Sequence, residues 1–106
     1  MIIVCQTLLK NTKILGIAIF PFIILKDKRL KNNHTLINHE KIHLRQQLEM
    51  GIILFYLWYL AEFLYWYIKL GNGEMAYERI SFEQEAYCNE NSSNYLKNRK
   101  FWEFLK

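Results

Sequence analysis

His39, Glu40 and His43 form an H-E-x-x-H run. Two imidazoles with a carboxylate at that spacing are the groups from which metal-assisted hydrolysis is built. At about 100° per residue on an α-helix, positions 39 and 43 point within about 40° of each other, one turn apart. Their nitrogens can therefore converge on one ion. Glu40, offset by about 100°, can reach a water at an open position without itself binding the metal. A four-coordinate catalytic zinc with two ligands from one helix needs a third protein ligand and keeps one place for water. Downstream, Phe82-Glu83-Gln84-Glu85-Ala86-Tyr87-Cys88-Asn89 offers carboxylates for that role. The plainer alternative is a solvated His–His pair, with acidic residues near a helix start favoured by the macrodipole.

These residues need elements to position them, and three apolar blocks separated by polar punctuation supply candidates. The block Ile14–Leu25 is rich in β-branched and aromatic residues. It is too short to span a bilayer, and Pro21 suits an edge strand or a bent pair of strands. The run Lys26–Lys31 with Asn32-Asn33 reads as a turn. A helix is expected from an N-cap at Thr35 to Gly51, carrying the H-E-x-x-H residues. Ile52–Leu70 is a second helix, closed by Gly71-Asn72-Gly73. A third is expected from Ser81, with Gln84 completing a possible capping box, to about Arg99. The expected fold class is α+β: a short N-terminal sheet followed by three helices, with the metal site between the H-E-x-x-H helix and the last one.

With 106 residues, 52% hydrophobic and 23% charged, the chain has material for one domain spanning 1–106 and is not disordered. The net charge of +4 is spread along the chain without a cluster or reading motif, so no nucleic-acid partner is expected. Cys5 and Cys88 match no metal or redox spacing and read as free thiols in a reducing compartment, Cys88 as a small buried residue. The N-terminus does not look like a signal peptide, so a cytoplasmic location is expected. Ile52–Leu70 is long enough to cross a bilayer, but Glu62 lies near its centre and tyrosines occur throughout. It is expected to be a core or interface-lying helix, with a true span as the alternative, contacting a membrane surface, a partner protein or a second copy of the chain.

H-E-x-x-H with a downstream helical Glu resembles the gluzincin metallopeptidases. Phe82-Glu83-x-x-Ala86 looks like the F-E-x-x-A-D ligand segment of the membrane CAAX-prenyl-protease and heat-shock-peptidase group, and like the E-x-x-A-N/D segment of ImmA-type peptidases. The whole chain is similar to a group of short bacterial gluzincin-like proteins that share INHExIHxxQQ and FExEAY signatures. The resemblance implies a minimal zincin-like domain with Zn²⁺ held by His39, His43 and Glu83, Glu40 as general base, and a peptide or protein substrate. The larger families place Asp or Asn four residues after the ligand Glu. Here Tyr87 stands there, whereas Glu85 has Asn89 at that spacing. Residues 83 and 85 point about 200° apart on a helix, so only one of them faces the metal, and Glu83 is preferred because Phe82 and Ala86 then keep their places. Tyr87 or Tyr77 would donate to a developing oxyanion. His34 could do the same, Gln46 and Gln47 would line the site, and Glu62 could support a ligand histidine. Gluzincin-like folds bind extended substrate on an edge strand, for which Ile14–Leu25 is the candidate.

Overall fold

The computed structural model describes residues 2–10, 14–92 and 94–105. The apolar block 14–25 folds as two strands. β2 (Gly16–Ile19) and β3 (Phe22–Leu25) pair antiparallel across a turn at Phe20-Pro21, whose peptide bond is cis. β1 (Ile2–Val4) joins β3 in parallel on its other side, giving the order β1-β3-β2, and a short helix α1 (Gln6–Leu9) follows β1. β2 is therefore an edge strand. Lys26 N–H donates to Leu15 O at 2.9 Å, which fixes the alternation of the antiparallel pair. Residues 15, 17 and 19 spend their backbone groups on β3, and those of Gly16 and Ala18 face the other edge, where Ala18 O accepts from Gln47 Nε2 at 2.7 Å and from the Tyr56 hydroxyl at 2.5 Å.

Residues 28–32 form a 3₁₀ turn, and α2 (His34–Met50) follows. Its N-cap is Asn33 rather than Thr35: the Asn33 side chain accepts from Leu36 N–H at 3.1 Å, whereas the Thr35 hydroxyl donates to Asn91. Gly51, at φ +83°, ends α2 and turns the chain into α3 (Ile52–Leu70). α4 (Gly73–Arg79) was not expected from the sequence, although Asn72 caps it by accepting from Met75 N–H at 3.1 Å. α5 (Ser81–Asn89) starts where expected but without a capping box. Instead, the Glu62 carboxylate of α3 accepts from Ser81 N at 2.8 Å and Ser81 Oγ at 2.6 Å. A carboxylate from elsewhere thus does the work of the cap, favoured by the helix dipole. Glu62 is committed there and to the Trp58 indole, not to a histidine.

α5 ends at Asn89, well short of Arg99, and only a short α6 (Tyr95–Asn98) follows. Asn38 of α2 supplies the reason. Its amide nitrogen lies 3.3 Å from Asn89 O, 2.8 Å from Glu90 O and 3.0 Å from Ser92 O, taking carbonyls that a longer helix would spend on itself. Asn38→Ala is expected to cost about 2 kcal/mol of stability, since it orphans partly buried carbonyls; urea unfolding monitored by circular dichroism measures it.

The result is an α+β fold, a small three-stranded sheet followed by helices. Ile23, Leu25 and Ile37 pack the sheet against α2, while Phe55, Ile80, Phe82 and Phe104 join α3, α5 and the C-terminal segment. α2 lies between these two clusters, which holds its intervening face rigid. By length and composition α3 is the one described helix suited to crossing a membrane, and little of it is buried. Both cysteines are free, and Cys88 is exposed rather than buried.

Candidate metal centre

The face of α2 between the two clusters carries His39, His43 and Gln46, all buried. Opposite them, Phe82 is anchored in the aromatic core, which turns the next residue of α5, Glu83, toward the histidines. His39 Nε2 and His43 Nε2 each lie 3.1 Å from Glu83 Oε1 and 3.2 Å from each other. The three form a buried group able to hold a metal ion. A tetrahedral ion bound at about 2.0–2.1 Å separates its ligand atoms by about 3.3 Å, so the observed triangle matches that edge closely.

The surrounding hydrogen bonds determine which atoms carry protons. His39 Nδ1 lies 2.7 Å from Glu90 Oε2, a carboxylate oxygen that can only accept, so Nδ1 is the donor. His43 Nδ1 faces Gln46 Oε1 at 2.8 Å. The Gln46 amide cannot be flipped, because its nitrogen donates to Phe82 O at 3.1 Å and Glu85 Oε1 at 2.9 Å. His43 Nδ1 therefore also carries hydrogen. In the neutral tautomers both Nε2 atoms present lone pairs to one another and to Glu83 Oε1. Three lone pairs meeting in a buried place demand a cation between them, a proton or a metal ion. Glu83 Oε2 is held away by the Tyr59 hydroxyl at 2.6 Å, leaving Oε1 for the centre.

The electrostatics agree. Burial works to lower the His43 pKa, but hydrogen bonding and the charge of Glu83 outweigh it and push it up to about 9. Burial would raise the Glu83 carboxyl, yet its hydrogen bonds to His39 and His43 hold it well below the usual carboxylate range. Without a metal, the cluster keeps a proton.

Glu40 lies beside the cluster. It shares a cleft of about 250 Å³ with His43, Glu83, Tyr59, Tyr77 and the edge of β2 at Gly16 and Ala18. Burial raises its pKa, partly opposed by the nearby histidines. No described residue donates a hydrogen bond to its carboxylate. A buried carboxylate of raised basicity, without a hydrogen-bond donor among the described residues and open to a cleft, is suited to taking a proton from a bound molecule. Comparisons with models of known families, with curated proteins and with solved structures give no match to this chain.

Glu85 does not join the metal-binding group. Its carboxylate accepts from Arg99, from the Tyr95 hydroxyl at 2.5 Å and from Gln46, so it supports His43 at one remove. Tyr87 packs edge-on against His39, with ring centroids 4.4 Å apart, and its hydroxyl lies 2.9 Å from that of Tyr77. Tyr77 lines the cleft of Glu40, and both tyrosines line an adjoining cavity with His39 and Glu40. Gln47 also lines the cleft, but its amide is spent on β2: Oε1 accepts from Phe20 N–H and Nε2 donates to Ala18 O, each at 2.7 Å. His34 is exposed at the start of α2.

Glu90 and Tyr59 were missed from the sequence. Glu90 stands two helical turns after Glu83, a spacing that could have placed it on the same face. No local pattern points to Tyr59, which arrives on another helix. Glu90→Gln is expected to weaken metal binding by about tenfold to a hundredfold, because the amide no longer fixes the His39 ring as firmly; competition with a chromophoric chelator measures the loss.

Proposed function

We propose that the chain is a zinc-dependent metallopeptidase, with His39, His43 and Glu83 as the protein ligands. The observation that carries this reading is the convergence of three lone pairs at tetrahedral spacing. Two imidazoles and one carboxylate form the donor set of many catalytic zinc sites, which retain an open position. Zinc bound there would supply a Lewis acid and acidify water beside it. Glu40 would accept the proton of that water and deliver it to the leaving amine. Tyr77, in the same cleft, would donate toward the carbonyl oxygen as charge develops on it, with Tyr87 holding its hydroxyl. The edge of β2 favours a peptide substrate, since the backbone groups of Gly16 and the N–H of Ala18 can receive an extended chain, while Ala18 O is held by Gln47 and Tyr56.

The test is hydrolysis of unfolded protein and of a mixed peptide library by the zinc-loaded chain, beside Glu40→Gln. The variant is expected to keep its zinc and lose about a hundredfold or more in rate. A variant matching the wild type in rate, with zinc retained, would instead make the metal a structural staple in a small interaction module.

A further inference from the structure

Two cavities meet at Glu40. The cleft of about 250 Å³ lies on the His43 side and is walled by Ile17, Phe55 and Tyr56. The adjoining cavity, of about 570 Å³, lies on the His39 side. Gly16, Glu40 and Tyr77 line both, so a chain laid along β2 passes from one to the other over Glu40. Gly16 brings the strand against that carboxylate: a Cβ there would stand 3.7 Å from Glu40 Cγ. The two cavities differ in charge. Glu74 and Glu90 join Glu40 in the second, and no described Lys or Arg lines it, in a chain where fourteen Lys and Arg face ten Asp and Glu. Neither Glu74 nor Glu90 has a Lys or Arg partner among the described residues; Glu90 gives one oxygen to His39, and Glu74 stands exposed in the first turn of α4. Independently of them Glu40, 6% exposed, faces the same space without a hydrogen-bond donor among the described residues. The two positive charges of a bound zinc would be met by Glu83 and Glu40, which leaves Glu74 and Glu90 in excess. A cavity with unbalanced negative charge and the Tyr77 and Tyr87 rings in its wall is complementary to a cation.

We propose that the adjoining cavity is a subsite for a cationic side chain, so that the protein acts on peptides carrying Lys or Arg beside the bond that is cut. This rests on the metallopeptidase reading and names its substrate class. A long basic side chain suits the place, because its methylene stem can lie along the tyrosine rings while its charged head reaches Glu74 and Glu90. An acidic side chain there would meet three carboxylates with no described Lys or Arg to answer it. The N-terminal ammonium of a peptide offers the same charge without the stem, and blocked peptides separate the two.

The test uses fluorescent peptides that carry Phe-Lys or Lys-Phe in an alanine background, N-acetylated and C-amidated, beside counterparts with norleucine for lysine. Binding is read by anisotropy on the zinc-loaded Glu40→Gln chain, which needs no hydrolysis, and cleavage on the zinc-loaded wild type. In one of the two orders the lysine peptide is expected to bind about tenfold tighter than its norleucine counterpart at low salt, and to be cut about tenfold faster. Glu74→Lys is expected to abolish that preference and to favour a glutamate counterpart, with zinc content and circular dichroism unchanged. Lysine and norleucine peptides that bind alike and are cut alike overturn the proposal, as does a Glu74→Lys chain that keeps the preference. Cleavage confined to peptides with a free N-terminus, whatever their side chains, also overturns it and gives the cavity to the ammonium. A lysine preference in binding with no peptide cut upholds the subsite and sinks the hydrolytic reading. Cleavage indifferent to lysine upholds hydrolysis and sinks the subsite.

Discussion

Glu83→Gln is expected to lower zinc affinity about a thousandfold, while Glu85→Gln retains most of it. Structural zinc sites bind with about 10–16 kcal/mol, so one ligand of four is worth about 3–4 kcal/mol. Gln keeps the hydrogen-bonding shape, its amide oxygen accepting from Tyr59 and its NH2 donating to the histidines, so the variant should fold but presents no anionic ligand to the metal. Glu85 is spent on Arg99, Tyr95 and Gln46, and its loss reaches His43 only through Gln46. Chelator competition on parallel preparations measures both. A Glu83→Gln chain that binds zinc as the wild type does, beside a Glu85→Gln chain that does not, would move the ligand. The pH profile follows from the same cluster. His43, pushed up to about 9 by Glu83, stabilises the metal-free fold by its charge; that contribution is full below about 6.5 and is lost as pH rises through about 9. Zinc must displace this proton, so its affinity should climb about tenfold per pH unit across that window. Glu83→Gln should flatten the climb.

Local periodicity made much of this site legible. The H-E-x-x-H spacing needs only a helix to bring two imidazoles together, and Gly51 and the length of 52–70 marked two helices from composition alone. The choice of Glu83 over Glu85 was also within reach, because Phe82 had to enter a core and the helix then fixed what followed. Contacts between distant segments could not be read in this way. α5 stops at Asn89 because Asn38, fifty-one residues earlier, takes its last carbonyls. Ser81 has no capping box because Glu62 arrives from α3. Sequence spacing also says nothing of tautomers, and it is the bonds from Glu90 and Gln46 that leave the Nε2 lone pairs facing one another.

Arg99→Met is expected to destabilise the fold by about 3–5 kcal/mol at neutral pH, a large share of what a domain of this size has. The Arg99 side chain is fully buried between two carboxylates: it donates to Glu49 at 2.7 and 3.1 Å and to both oxygens of Glu85. Met fills similar volume but leaves both charges buried and unpaired. The cost should therefore depend on pH in a definite direction. Burial would raise the Glu85 carboxyl, but its bonds to Arg99 outweigh that and hold it below the usual range. In the wild type this gives stability that is present above the ordinary carboxylate pKa and is lost as pH falls through the folded value. In Arg99→Met only the Tyr95 and Gln46 bonds are left to hold Glu85 down, so it would take up a proton at a higher pH than in the wild type and its burial would stop costing charge. Urea titrations should show the gap between the two proteins wide at neutral pH and narrowing as pH falls below about 4. Adding Glu85→Gln to Arg99→Met should recover part of the loss at neutral pH, because one of the stranded charges is gone. A gap independent of pH, with no recovery in the double variant, would mean that Arg99 acts by packing alone. The same triad also orients Gln46 toward His43, so Arg99→Met should weaken zinc binding even at temperatures where the chain remains folded. Ordering of the C-terminal segment and readiness of the metal centre would then be lost together.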